Sequence, residues 1–303
     1  SWRQGTVVLQ SGECPGAESE PVRGQLRANT DEALAAGCAG LSAGLAYPTA
    51  SAAPTGEQVA LAGRLRPAGG LFTLHMRDEA AGVVASVEEA IDIGRQGGVP
   101  VVISHHKCCG RANWGLSRRT LDLIAAARAA GLRVDLDAYP YTASSTVLLK
   151  DFAARAERVV IAWSAPHPEA TGRDLAELAA EWGVDADGAI DRLAPAGAIY
   201  FQMDEEDLRR ILAFEGTMVG SDGLPHDVTS CHMTDHPHEF LDLLGAKCDS
   251  LFIRRLQGQG TEWSRTGRSV NALFTGWRPR LIVDLATGLN PVETVPVGVF
   301  QGP

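Results

Sequence analysis

Short apolar runs alternate with amphipathic segments along the chain, and three of the runs end in a reactive side chain. They are LFTLHMRDE (71–79), VPVVISHHK (99–107) and TMVGSDG (217–223). His75 and His105 each close a strand-like run, and Asp222 follows Met218-Val219-Gly220. Strand, helix, strand, helix with short links is the pattern of parallel β/α architecture. Reactive residues at the C-terminal tips of such strands favour a (β/α)8 barrel, whose active sites lie on that face. The competing doubly wound nucleotide fold lacks its usual phosphate cradles, because neither GxGxxG nor GxxxxGK[ST] occurs.

The rhythm is clearest between residues 55 and 146. Thr55-x-x-Gln58 reads as a capping box opening a helix to about Leu65. Strand 71–75 follows, then a helix from Glu79 to about Gln96 with Val83, Val84, Val87 and Ile91 on one face. Gly97, Gly98 and Pro100 end it. Strand 99–104 leads into a polar loop, KCCGRANWG (107–115), and a helix from Ser117 to Ala130. Strand Leu132–Leu136 runs into DAYPYTASST (137–146).

Residues 1–146 are therefore expected to be barrel units. Residues 147–197 break the rhythm and predict an inserted subdomain or lid, with a strand-like VVIAWS (159–164) and a helix after Thr171-x-x-Asp174. Residues 198–245 are expected to return to a last barrel unit, with a strand at 198–203 and an acid-started helix from Asp204. The segment 246–303 is a divergent tail in which only LIVDLA (281–286) reads as strand-like.

Two histidines and an aspartate on separate strand tips form the constellation of a metal-dependent hydrolase. Imidazoles hold a Lewis-acidic ion, and a carboxylate shuttles the proton of the attacking water. His106, one residue on from His105, is expected to point to the other face of the sheet and to be structural. The net charge of −10 argues against a nucleic-acid partner. No apolar run approaches a membrane span. The chain starts SWRQGT, without an initiator Met or a signal peptide, and has six cysteines and no CxxC. A reducing cytoplasm is the expected location. Vicinal Cys108-Cys109 is expected to be loop packing, Cys38 to be core, and Cys231, His232, His236 and His238 to form a His-rich surface loop.

The motifs GLSAGLAYP, HMRDEA, ISHHK-x-x-GRANWG, DAYPYTASST, QMDEEDLRRIL and GSDGLPHD together resemble the N-acyl-D-amino-acid deacylases, or D-aminoacylases, of the amidohydrolase superfamily. The resemblance covers about residues 30–228 in order. It implies a TIM-type barrel with a small β-sandwich, of which this chain would hold about strands 4–8, and a Zn2+ cofactor. It also implies hydrolysis of N-acyl-D-amino acids, a small-molecule substrate, to a carboxylate and a free D-amino acid. Position by position, it makes His75 and His105 zinc ligands and Asp222 the catalytic aspartate. Lys107, Tyr139 and Ser145 would contact the substrate, with Arg77 and Arg111 competing with Lys107 for its carboxylate. The family's further ligands, an HxH or HxD pair and a downstream cysteine, would precede Ser1. With two histidines and Asp222 alone, the chain by itself is expected to hold zinc weakly. A non-catalytic remnant of the same barrel, or another cyclic-amide hydrolase of the superfamily, are the alternatives.

Overall fold

The computed structural model describes residues 20–220 and Asp222, together with the short stretches 280–281 and 300–301. The His-rich loop at 231–238 and nearly all of the tail lie outside the described residues. The order is α1 (Glu20–Ala35), β1 (Gly40–Gly44), α2 (Pro48–Ser51), α3 (Thr55–Leu65), β2 (Leu71–His75), α4 (Val83–Gly97), β3 (Val101–Ile103), α5 (Ser117–Ala129) and β4 (Val134–Ala138). Then come β5 (Ala143–Val147), α6 (Lys150–Arg155), β6 (Arg158–Ser164), α7 (Leu175–Trp182), α8 (Ala186–Leu193), β7 (Ala196–Phe201), α9 (Glu205–Ala213) and β8 (Thr217–Val219). Residues 280–281 pair antiparallel with 300–301.

Five strands form one parallel sheet in the order β1-β2-β3-β4-β8, an arc of a β/α barrel. Along each strand one set of alternate residues faces the helices. Phe72, Leu74, Val101, Ile103, Val134, Leu136 and Ala138 join Leu61, Leu65, Val87, Ile91, Ile124 and Ile211 in a single core. Burying a side chain of this size contributes about 1.5–3 kcal/mol, so this layer is the main source of cohesion. The alternate set, including Thr73, His75, Val102 and Asp137, points to the other face. That face, at the C-terminal strand ends, carries the reactive side chains.

Helix ends follow the local chemistry. Gly98 closes α4 in a left-handed conformation, φ 68°, with its N–H on Gly94 O. Asp174, Asp185 and Asp204 cap α7, α8 and α9 through their carboxylates. Two expected starts move. α4 begins at Val83 rather than Glu79, because the Asp78 carboxylate accepts from Ala80 N and Gly82 N and holds 78–82 in a turn. Pro54 takes the N-cap position of α3, and the Thr55 hydroxyl reaches Glu89 instead of capping.

The insertion differs in extent from the expected 147–197. β5, β7 and β6 form a separate antiparallel sheet running from Ala143 to Phe201. The strand near 198–203, expected to rejoin the barrel, is the centre of that sheet. Its own core is Leu148, Phe152, Ile161, Leu175, Leu178, Ile190, Leu193 and Tyr200. The barrel rhythm resumes at α9, and β8 then pairs with β4.

Candidate metal centre

His75 ends β2, and Glu79 follows it across the Asp78 turn. Met76, fully buried, pins the intervening stretch. His105 lies just past β3 with φ 42°, a left-handed conformation rare outside glycine. Its amide donates to Asp137 Oδ1 at 2.6 Å. The rings of His75 and His105 meet edge to face with centroids 4.3 Å apart. Glu79 Oε2 is 3.5 Å from His75 Nε2, and Glu79 Oε1 is 3.2 Å from His105 Nδ1. One donor atom from each of His75, Glu79 and His105 lies within 4.8 Å of the others.

Lys107 completes the cluster. Its ammonium is 2.6 Å from Glu79 Oε1 and 2.6 Å from His105 Nδ1, and the side chain is buried. Burial works against the Glu79 charge, but Lys107 and the two histidines outweigh it and hold the carboxyl well below its usual range. Burial likewise opposes the Lys107 charge, yet Glu79 carries its pKa above the ordinary value. Burial leads the lowering of His75. For His105, burial and Lys107 act downward, while Asp222 and Glu79 act upward and prevail.

These residues fit a divalent cation. His75 Nε2 is buried without a hydrogen-bond partner. Two imidazole nitrogens and a carboxylate oxygen are a donor set used by zinc. Glu79 was not singled out in the sequence, although His75-x-x-x-Glu79 was there to be read.

The other expected residues fall in different surroundings. Asp222 follows β8 with φ 52°, and its charge acts on His105, Lys107, Asp137, Tyr47 and Tyr139. The Tyr139 hydroxyl is buried without a partner, and its ring centroid is 6.3 Å from that of His105. Burial, then Asp222, raises its pKa well above the usual phenol value, so the proton stays on. Ser145 stands on β5 opposite Ile199, in the inserted sheet. Arg77 is committed to Glu89 at 2.8 Å and to the Ala53 carbonyl. Arg111 is exposed and pairs with Glu157. His106 points to the helical layer, with Nε2 2.8 Å from the Thr120 hydroxyl, and burial lowers its pKa to about 4.

Cys108 and Cys109 are free, buried thiols, and burial pushes Cys109 up to about 12. Cys38 is half-buried rather than core. Tyr47 bridges β1 and the insertion: its ring lies tilted against that of His75 with centroids 5.0 Å apart, and its hydroxyl meets Thr146 at 3.1 Å. The GRANWG segment is fastened to its surroundings. Gly110 N and Trp114 Nε1 both donate to Gln202 O, while Gly115 N and the Ser117 hydroxyl donate to the buried Asp207.

An arc of parallel β/α units with a His-Glu-His cluster at the strand C-termini defines part of a β/α barrel with a candidate metal site. No protein-family model matches the chain. An N-acyl-D-aspartate deacylase of Alcaligenes xylosoxydans xylosoxydans is 51% identical over 223 residues, 73% of this chain and 43% of that protein. A D-aminoacylase of the same organism is 52% identical over 202 residues, 67% of this chain and 42% of that protein. The N-acyl-D-glutamate deacylase of Bordetella bronchiseptica, solved with zinc and a phosphonate mimic of the tetrahedral intermediate, matches with a TM-score of 0.68 and 43% identity. That match covers 78% of this chain and 48% of the solved one. The chain belongs to the N-acyl-D-amino-acid deacylase (D-aminoacylase) family of the amidohydrolase superfamily. It spans about two fifths of the length of the curated relatives it matches.

Proposed function

We propose that this chain carries the His75–Glu79–His105 part of a zinc-dependent deacylase site, and that the protein hydrolyses the amide bond of N-acyl-D-amino acids. The products are a carboxylate and a free D-amino acid. The observation that carries the reading is the convergence of two imidazoles and a buried carboxylate at the strand C-termini of a barrel of this family. The relatives bear different substrate names at similar identity, so the reading is made at the level of the substrate class they share.

His75, Glu79 and His105 would hold the ion. Zinc held there would supply Lewis acidity, polarising a substrate carbonyl and lowering the pKa of a water. Asp222 takes the water proton and returns it to the leaving amine nitrogen. The Tyr139 hydroxyl, a protonated donor without a partner, stabilises the carbonyl oxygen as negative charge develops there. Lys107 neutralises Glu79 in the described arrangement, and contact with a substrate carboxylate requires it to leave that partner. Ser145, on the inserted sheet, would contact the substrate. Arg77 is retained as a brace between the β2 turn and α4.

No helix among the described residues is long and apolar enough to cross a membrane. The free buried thiols and acidic balance support a cytoplasmic enzyme acting on a small molecule, with no nucleic-acid or membrane partner. The test measures zinc binding by the chain and turnover of N-acetyl-D-methionine against its L-isomer by the protein that contains it. His75→Ala and His105→Ala are expected to abolish zinc binding. Asp222→Asn is expected to keep zinc and lose a factor of about 10²–10⁴ in rate. Equal turnover of both isomers, or zinc retained without the histidines, overturns the reading.

A further inference from the structure

The ladder between β3 and β4 determines where each residue past Ile103 ought to point. Val101 N donates to Arg133 O at 2.9 Å, and Ile103 stands opposite Leu136. Continued unchanged, this register hands His105 N to the carbonyl of Asp137. It also sends the His105 side chain into the helical layer with Val101 and Ile103, and turns His106 toward His75. The structure has the reverse. His106 N takes the Asp137 carbonyl at 2.8 Å, one residue late. The displaced amide of His105 is caught by the Asp137 carboxylate at 2.6 Å. His105, turned through φ 42°, faces His75 and Glu79, and His106 reaches Thr120 of α5.

A left-handed non-glycine residue persists where its surroundings over-determine it, and such residues cluster at functional sites. Three hydrogen bonds hold this one: two come from Asp137, through its side chain and its carbonyl, and the third is Thr120 on the ring of His106. We propose that Asp137 is the positioning residue that selects His105 over His106 as the imidazole facing His75 and Glu79. It acts through the His105 main chain and needs no contact with substrate or ion. The inference rests on the reading of His75, Glu79 and His105 as metal ligands.

The test uses the 303-residue chain with zinc as the probe, and two readouts. The first is the amide proton shift of His105 in the metal-free, isotope-labelled chain. The second is zinc affinity. Asp137→Ala is expected to move the His105 amide upfield as it loses a short charge-assisted bond, and to weaken zinc by roughly 10–100-fold. Asp137→Asn keeps an oxygen acceptor in place and is expected to retain the amide bond and most of the affinity. If Asp137→Ala does not fold, Asp137→Glu replaces it, since moving the acceptor one methylene should displace the same amide. An unmoved His105 amide in the Ala or Glu variant overturns the proposal, as does an Asn variant that falls as far as Ala. Zinc affinity unchanged by His75→Ala and His105→Ala sinks the metal-ligand reading instead, and the metal-free amide shift still decides the role of Asp137.

Discussion

Glu79→Gln is the substitution whose cost is best defined by the geometry. It keeps the side-chain shape and removes one charge from a pair at 2.6 Å whose members are each only 4% exposed. The Lys107 ammonium then remains buried beside the His105 imidazole and the Tyr139 face, 5.5 Å away, with no anion in contact among the described residues. Breaking a buried pair by deleting one partner typically costs about 3–5 kcal/mol. For a domain of 150–250 residues each kcal/mol shifts the melting temperature by about 2–4 °C, so a fall of roughly 6–20 °C is expected. Lys107→Met alone strands the Glu79 carboxylate and should cost a similar amount. The double variant removes both charges and should recover part of the loss, since neither single variant's uncompensated buried charge remains. Chemical denaturation of the four proteins in the presence of a chelator closes the cycle and gives the coupling energy, expected above about 2 kcal/mol. A single-variant cost below about 1 kcal/mol, or a double variant as unstable as the sum of the singles, would refute the pairing argument.

Asp207→Ala strips the acceptor from Gly115 N and the Ser117 hydroxyl. It should cost about 2–3 kcal/mol and speed amide exchange across residues 110–115; unchanged exchange there would count against the anchoring role. Gly197→Ala builds a Cβ 2.2 Å from Trp163 Nε1, beside the irregularity in β6. The overpacking should lower stability by about 1–3 kcal/mol in a melt, and no loss would show that the Trp163 ring moves freely. Tyr200 gives a pH signature: burial raises its phenol from the ordinary 10 to about 12. The folded state therefore favours the neutral form, and its stabilising effect is full below pH 10 and lost as pH rises toward 12, amounting to about 3 kcal/mol. Tyr200→Phe starts less stable, because Leu149 N and Val147 O lose their partner. It should also lose that alkaline slope, and an unchanged slope would assign it to other groups.

The β/α units could be read in the chain because their helices are amphipathic and α4 and α5 close on glycine, at Gly98 and Gly131. His75 and His105 emerged for the same reason, as polar residues closing apolar runs. Glu79 did not, because the sequence around it reads as the first turn of α4. Only the hydrogen bonds of Asp78 show that 78–82 is a separate turn presenting Glu79 to the histidines. Strict alternation would have chosen His106 over His105, and the one-residue slip that reverses them depends on a carboxylate on the neighbouring strand. β5 was legible only as a polar run, ASSTV, because its stability comes from pairing with β7, fifty or more residues on. Lys107 read as a loop lysine available to a substrate, and its burial against Glu79 could not be seen without the fold.

Ala143 and Phe201 are register partners, so the inserted sheet is entered and left through a single paired point. Its far ends therefore impose no distance on β4 and β8, which are neighbours in the main sheet. Loop-closure entropy rises only slowly with the length enclosed, and here the enclosed length folds on a core of its own. Evolution can lengthen, shorten or reshape this segment without moving a ligand on β2 or β3. Residues 143–201 can thus vary while the strand ends that position His75 and His105 stay where they are.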